Sequence, residues 1–409
     1  MAKYTAEMCE WLAERGHDVE VVCPPPYYPA WRIASPYKSW RYVREVLAGV
    51  TVTRCPIWLP MKPAGLQRIV YAASFALSSL PVIFCAAFRR RDVIFVLEPS
   101  ILNAIGSLLL AKLTGAVSWL QIKDFEIDIA FQLGQLRANW LRTVLLRFES
   151  WLMRRFDVVS TISQSMSAKV RAKGVPDERS VFFPDWVNTD LIHPSNSGAS
   201  LRAGLAIPET TVVVLFSGTL SAKQGLETLI EAARSIEDNR PTSAPEILVL
   251  ICGDGQAAPI LRSLATGLAC VRFLALQPSD RLNALLNAAD IHVLPQVPEV
   301  ADSVLPSKLL GMLASGRPVV ATVGPESEVG RLVAKCGVLA RPGDASALAD
   351  AIQEMAIDRE EREQLGSEAR RIAIQLFEQE RILGEFESQL KQRMARRGAA
   401  TANDVSTAT

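Results

Sequence analysis

Histidine is scarce in this chain: three residues in 409, His17, His193 and His292. None has a second histidine or a carboxylate at ligand spacing, which argues against a histidine-based metal site. Cysteine pairing is missing as well. The seven cysteines (Cys9, Cys23, Cys55, Cys85, Cys252, Cys270 and Cys336) show no metal-ligand or redox spacing. Most sit in apolar runs and read as buried thiols of a reducing compartment. Charge of one sign is not in excess: the net charge is +1, so nothing suggests nucleic acid as a partner. No secretory signal opens the chain, because Met1-Ala2-Lys3-Tyr4 leads straight into an amphipathic helix. A G-x-G-x-x-G motif with an acidic residue about 20 positions later is also lacking, which disfavours a dinucleotide oxidoreductase.

What is present is globular: 49% apolar and 21% charged residues, enough for an ample core. The length suggests two or three domains. Residues 216–231, FSGTLSAKQGLETLIE, follow a β-branched run and lead into apolar residues at helical spacing (Leu226, Leu229, Ile230, Ala233). The loop between holds Gly218, Lys223 and Gly225. Unpaired N–H groups and the dipole of the next helix favour an anion there, and Lys223 adds a full charge. An ordinary strand–loop–helix connection with a solvated lysine explains the same residues about equally well. Ile251-Cys252-Gly253-Asp254-Gly255 is a second glycine-punctuated turn after a strand, weak by itself. In Leu305-Pro306-Ser307-Lys308-Leu309-Leu310, Ser307 is expected to cap a helix that stops at Gly316, with Lys308 near its N-terminus.

Along the chain, helical and strand patterns alternate in both halves. Strands are expected in the first half at 19–23, 93–97, 117–122, 158–163 and 181–187. In the second they are expected at 212–216, 246–252, 271–274, 291–294, 318–321 and 337–339. Such alternation predicts parallel sheets with helices on both faces, in two Rossmann-like doubly wound domains facing a cleft. The expected boundaries are 1–188, 189–375, a helix at 376–392 returning to the first domain, and a disordered tail at 393–409. The proline-rich loop 27–40 carries Tyr27, Tyr28, Trp31, Tyr37 and Trp40, either packing filler or a ligand rim. Residues 69–88 are the most hydrophobic stretch, flanked by Arg68 and Arg89-Arg90-Arg91. Pro81 and three serines interrupt it, so a buried helix or one lying on a membrane surface is preferred to a span.

The ordered set FSGTLSAKQGLETLIEAA, ICGDG, LPSKLLGMLASGRPVVAT and GVLARPGDASALADAI resembles the nucleotide-binding half of retaining GT-B glycosyltransferases (glycosyltransferase family 4 type). Upstream, AKYTAEMCEWLAERGHDVEVVCPPPYYP, KDFEID, VVSTISQSM and VFFPDWV are similar to the acceptor half and, more narrowly, to the bacterial group that includes the colanic-acid fucosyltransferases. The likeness covers roughly residues 2–390. It implies a GT-B fold and a sugar transfer from a nucleotide-sugar donor, GDP-fucose first among candidates, to a lipid-linked saccharide acceptor. It also implies retained configuration, no required metal or other cofactor, and a cytoplasmic enzyme peripheral on the inner membrane face.

The resemblance implies roles residue by residue. Lys223, with Gly218 and Thr219, matches the donor's pyrophosphate site, and Lys223 would stabilise the leaving group. Gly253 and Gly255 with Leu276 and Gln277 match the base pocket. Ser307, Lys308 and Leu309 match a phosphate- or ribose-facing helix start. Lys123 and Asp124 match the first-domain loop near the transferred sugar, and Pro184, Asp185 and Trp186 the interdomain turn; Lys123 and Trp186 are expected on the acceptor side. Asp124 would be the base if the chemistry inverts. Glu126 and Asp128 are read as solvated acids rather than a cation site.

Three departures accompany the likeness. Ser303 and Gly311 stand where the family carries two glutamates, with Asp302 or Glu299 as substitutes for the first. Thr219 replaces a frequent arginine. The family's opening strand and glycine-rich loop are missing, so a chain begun too late is expected. A non-catalytic GT-B protein that binds a glycan or a partner enzyme remains the alternative to the enzyme.

Overall fold

The computed structural model describes residues 2–27, 31–60, 66–98, 101–125, 127, 139–241, 243–297 and 305–407. It divides into two compact units, Met1–Phe183 with Leu383–Thr409, and Pro184–Ile382.

In the first unit, α1 (Ala2–Glu14) buries Met8, Cys9, Trp11 and Leu12, one stripe at helical spacing. It leads into β1 (Glu20–Cys23), β2 (Val43–Leu47) and β3 (Val50–Arg54), a three-stranded sheet in the order β1-β3-β2. The β2–β3 hairpin was not expected from the sequence. Its turn residues Ala48 and Gly49 take φ of 47° and 79°, the left-handed pair that matches strand twist, here built without the usual Asn-Gly signal.

Next come α2 (Leu66–Ala86), β4 (Val93–Glu98), α3 (Ile101–Thr114), β5 (Val117–Ile122), α4 (Asn139–Met153), β6 (Val158–Thr161), α5 (Gln164–Ala172) and β7 (Ser180–Phe182). Strands β4-β5-β6-β7 form a parallel sheet. β5 is wholly buried, and its Trp119 donates to Ser160 Oγ at 2.6 Å. Among the described residues β1 pairs only with β3 and β4 only with β5. Glu20, the first residue of β1, accepts from Arg91 just before β4 at 2.7 Å.

The second unit holds α6 (Ser197–Gly204), β8 (Val212–Ser217), α7 (Leu226–Asn239), β9 (Ile247–Cys252), α8 (Ala258–Leu264), β10 (Val271–Leu274), α9 (Leu282–Asn287) and β11 (Ile291–Leu294). It continues with α10 (Ser307–Ala314), β12 (Val319–Thr322), α11 (Glu328–Val333), β13 (Gly337–Ala340), α12 (Ala345–Ile357) and α13 (Arg359–Phe377). Its six strands are all parallel, in the order β10-β9-β8-β11-β12-β13. Alternate residues of β8 feed two cores. Val212, Val214 and Phe216 pack with Leu229 and Ile230 of α7, whereas Val213 and Leu215 pack with Leu309 and Leu313 of α10 and Ile372 of α13. Period-two alternation into two apolar layers is what a doubly wound sheet requires.

The last helix, α14 (Gln379–Thr407), starts after the break at Phe377 that the sequence predicts. From Leu383 it belongs to the first unit, where Phe386 stacks on Phe183 (ring centroids 4.4 Å apart) and meets Trp119 edge-on at 5.1 Å. The disordered tail expected from 393 is instead helical as far as Thr407. Arg393 bonds Glu178 O and Arg397 bonds Asp157 at 3.0 Å, and the alanines that follow propagate the helix. Among the described residues no helix is long and apolar enough to cross a membrane.

Candidate active site

The second sheet runs outward to β9 and β10 on one side of β8, then returns to start β11 on the other. The loops leaving β8 and β11 therefore part at a topological switch point, where open α/β sheets leave a crevice. Three of the stretches singled out from the sequence meet there.

The loop after β8 and the turn after β9 lie backbone against backbone. Gly218 N donates to Cys252 O at 3.0 Å, Leu220 N to Asp254 O at 2.9 Å and Ala257 N to Leu220 O at 3.1 Å. Glycine is needed for this approach: a Cβ on Gly253 would run into Gly218 O, and one on Gly255 into Leu220 O. The turn also reaches β10, through Gly253 N to Leu274 O at 3.1 Å. That brings Leu276, exposed, and Gln277, which donates to Ala275 O at 2.9 Å, beside it.

After Gly218 and the exposed Thr219 the chain makes a 3₁₀ turn, Ala222–Gln224, and enters α7 through Gly225. Gly225 has φ of 61°, and a Cβ there would lie 3.2 Å from the Gln296 carbonyl carbon. Both the backbone conformation and the neighbour favour glycine. Lys223 sits in the 3₁₀ turn; of this residue the backbone alone is described.

On the other side of the switch point, α10 begins without a side-chain cap. Pro306, with φ −69° and ψ 125°, occupies the cap position, so Ser307 is the first helical residue and not the cap the sequence predicts. Leu309 differs from expectation too. Its side chain is wholly buried and its N–H bonds Pro306 O at 2.9 Å, so it backs the turn and offers a ligand nothing. Lys308 turns inward: its amine bonds Gln224 Oε1 and lies 4.4 Å from the Phe216 ring centroid. Burial pushes its pKa down to about 8.

Two polar groups here were missed by sequence reasoning. Gln224 holds the Lys308 amine, and Gln296, just past β11, keeps a buried Oε1 without a partner among the described residues while its N–H bonds Thr322 Oγ1 at 2.8 Å. Adjacency to Lys223 was the only signal for Gln224, and the position after Leu294-Pro295 the only one for Gln296.

Other expected residues lie elsewhere. Lys123 and Asp124 follow β5 in the first unit, where Lys123 is buried and its amine sits 5.4 Å from the Tyr4 ring centroid. Trp186 is buried in the second unit, beside Val187, which exchanges bonds with Phe377 O and Gln379 N across the break before α14. Glu126, Asp128, Glu299, Asp302 and Ser303 fall outside the described residues. Gly311 packs its α-carbon toward Leu286, whose Cδ1 would be 3.3 Å from an added Cβ. His292 is buried and held neutral, its pKa pushed down to about 3 by desolvation and then by Arg317. No group of three metal-ligating side chains occurs among the described residues.

Comparison with known proteins gives the same division of the chain. Residues 1–186 match a glycosyl transferase 4-like domain and residues 199–372 the glycosyl transferases group 1 domain. A glycosyl transferase named for colanic acid biosynthesis, WcaI of Escherichia coli K12, is 38% identical over 339 residues, covering 81% of this chain and 82% of that protein. Among solved structures, sucrose-phosphate synthase from Thermosynechococcus elongatus has a TM-score of 0.73 at 20% identity, covering 96% of this chain and 93% of the other. HepE of Anabaena, in complex with UDP and glucose, has a TM-score of 0.66 at 18% identity, covering 92% of this chain and all of the other. At such identities the two structures speak for the fold, GT-B.

Proposed function

The chain belongs to the group 1 glycosyltransferases, enzymes of the hexosyltransferase type, and we propose that it moves a sugar from a nucleotide donor to a lipid-linked oligosaccharide in exopolysaccharide assembly. GDP-fucose stands first among donors by sequence likeness to the colanic-acid group. UDP-glucose stands beside it, since HepE, a fold neighbour, has been solved with that donor.

One observation carries the donor site: the glycine-built loops after β8 and β9 and the start of α10 converge at the switch point of one sheet. The diphosphate takes the N–H groups of Thr219, Ser307 and Lys308, beside Gly218, with Lys223 as the reaching cation. As the bond from the sugar to the diphosphate breaks, negative charge grows on the leaving group. Lys223 and the N-terminus of α10 stabilise that charge without having to reorganise. The turn at Gly253 and Gly255, with Leu276 and Gln277, holds the base. Lys123 and Trp186 serve the acceptor side, Asp124 is the catalytic carboxylate of the first-domain loop, and the configuration of the sugar is retained.

A lipid-borne acceptor fits the first unit. On α2, Val70, Leu77, Leu80 and Phe84 form one exposed stripe, with the exposed Phe88, Arg89 and Arg90 just past its end. α3, packed on α2, exposes Ile105, Leu109 and Leu113, and α4 exposes Trp140, Val144 and Trp151. An apolar face with basic residues at its margin suits the interface of an anionic bilayer, and supports the reading of a peripheral enzyme on the inner membrane's cytoplasmic face.

Incubation of the protein with GDP-fucose or UDP-glucose and a polyprenyl-linked saccharide is expected to release nucleoside diphosphate only when both substrates are present. Nucleotide binding without turnover of any sugar nucleotide would favour the non-catalytic alternative, for which the loss of a side chain at Gly311 is the observation in support.

A further inference from the structure

The aromatic loop after β1 takes no part in the donor site. Two of its rings, Tyr27 and Trp31, meet Tyr71 of α2 in a trio. The ring centroids are 5.6, 5.8 and 5.9 Å apart, and the planes are inclined to one another by 53–67°. The hydroxyls of Tyr27 and Tyr71 bond each other. No ring lies flat on another and none is buried, so each keeps part of its surface toward solvent. Tyr28 lies outside the described residues.

Packing alone does not account for the way these rings are held. Trp31 has φ of 51°, a left-handed conformation that bulky residues avoid and glycine adopts freely. Such outliers persist where the surroundings fix them, and they gather at ligand sites. The surroundings here are rich in polar ties. Ala34 N donates to Pro26 O at 2.8 Å and Arg32 N to Tyr27 O at 3.3 Å, which closes the loop. The Tyr37 hydroxyl donates to the Glu45 carboxylate, 3.0 and 3.1 Å from its two oxygens, and Arg54, bonded to Glu45, covers the Tyr37 ring at 4.7 Å. Tyr42 donates to Ser78 O of α2 at 2.7 Å. Ser74 Oγ accepts from Trp58 N at 3.0 Å and donates to Tyr71 O at 2.7 Å.

Rings this close touch directly, so no ligand fits among them; the trio is a platform and not a cage for a cation. An uncharged aromatic surface edged with phenol hydroxyls suits a pyranose. The C–H face of the sugar lies against the negative ring faces, and its hydroxyls bond the phenols. Position agrees with this. β1 and β3 are parallel, and the loop leaves the carboxyl end of β1, the end at which open α/β sheets take ligands. Tyr71 lies about 100° round α2 from Val70 of the apolar stripe, so a saccharide whose lipid rests on the stripe meets the rings.

We propose that Tyr27, Trp31 and Tyr71 form a saccharide-binding subsite on which a pyranose ring of the acceptor stacks. This rests on the reading of a saccharide acceptor above and adds a place that holds sugar through other residues than Lys123 and Trp186.

The experiment is saturation-transfer NMR of the full chain with lactose, cellobiose and methyl α-fucoside, in the absence of nucleotide. It is repeated for Trp31→Ala, Trp31→Phe, Tyr71→Leu and Trp40→Ala, with melting temperatures and GDP and UDP titrations of each protein. The parent should pass saturation to at least one sugar, most strongly to the axial C–H protons of one ring face. Trp31→Ala and Tyr71→Leu should each weaken that sugar's binding roughly tenfold or more, with nucleotide binding unchanged. Trp31→Phe should keep most of the affinity, and Trp40→Ala, an exposed ring outside the trio, all of it. No transfer from the parent to any of the three sugars overturns the subsite, as does equal transfer in the parent, Trp31→Ala and Tyr71→Leu. Nucleotide titration and turnover then decide the donor site and the enzyme separately. Vesicles of phosphatidylglycerol test the other apolar occupant: if both variants lose vesicle binding and keep sugar binding, the trio is a lipid contact and the proposal is wrong. Lower melting of both variants with unchanged sugar binding makes the trio packing and likewise overturns it.

Discussion

A methyl group at Gly253 would meet the carbonyl oxygen of Gly218, part of a backbone pairing with no flexible side chain to give way. Gly253→Ala should therefore cost ~3 kcal/mol or more by urea denaturation, and should weaken nucleotide binding by opening the paired turns. Gly267→Ala, which meets nothing, should cost much less, its left-handed φ of 86° being the only penalty. Lys308 gives a second residue-scale expectation, with an unusual sign. Its folded pKa, about 8, lies below its unfolded value, so the unfolded chain binds more protons between about pH 8 and 10.5. Lysine 308 thus lowers stability in full below pH 8 and releases that penalty as pH rises. Measured against Lys308→Met, the stability gap should be constant below pH 7 and narrow above pH 8. Such details were only partly legible. The glycines were visible as punctuation, but Gln224 and Gln296 carry no motif, and Ser307 read as a cap because sequence does not reveal that extended Pro306 already holds that position.

The three helices α2, α3 and α4 each carry a stripe that the core does not cover, and large residues on it are well exposed, Phe84 by 65% and Trp140 by 71%, as is Phe88 just past α2, by 77%. If this face docks on lipid, vesicles containing phosphatidylglycerol should bind the protein, and neutral vesicles should bind it more weakly. Leu77→Glu with Phe84→Glu should reduce binding to both kinds of vesicle. Arg89→Gln with Arg90→Gln should reduce it about thirtyfold, on anionic vesicles alone, at roughly 1 kcal/mol per arginine near the surface. Equal binding by the parent and the Leu77/Phe84 double variant would remove the membrane role of α2. At this scale the sequence was most readable where periodicity was strong. The buried runs of β5, β8 and β9 and the break after Phe377 appear as expected. The β2–β3 hairpin escaped because Ala48 adopts a left-handed conformation that its residue type disfavours, and the helical end of α14 because polar, alanine-rich sequence suits helix and disorder alike.

For the whole molecule, the alternation of elements was enough to predict two doubly wound α/β units, because a parallel sheet must bury both faces and each crossover needs a helix. The return of the chain was harder to read in detail: α14 begins in the second unit, yet from Leu383 its residues complete the core of the first. Phe386 is the anchor, against Phe95, Trp119 and Phe183. Phe386→Ala should destabilise the first unit by about 3–5 kcal/mol, seen as an earlier unfolding transition in guanidinium, with nucleotide binding at 25 °C little changed. The central claim is that the second unit binds the nucleotide of a sugar donor through the loop that carries Lys223. It is tested most directly by calorimetric titration of GDP and UDP against the parent chain and Lys223→Ala. The account predicts saturable one-to-one binding of at least one nucleotide, weakened tenfold or more in the variant. Binding of equal strength to both proteins would contradict the assignment of Lys223, and binding to neither would contradict the donor site itself.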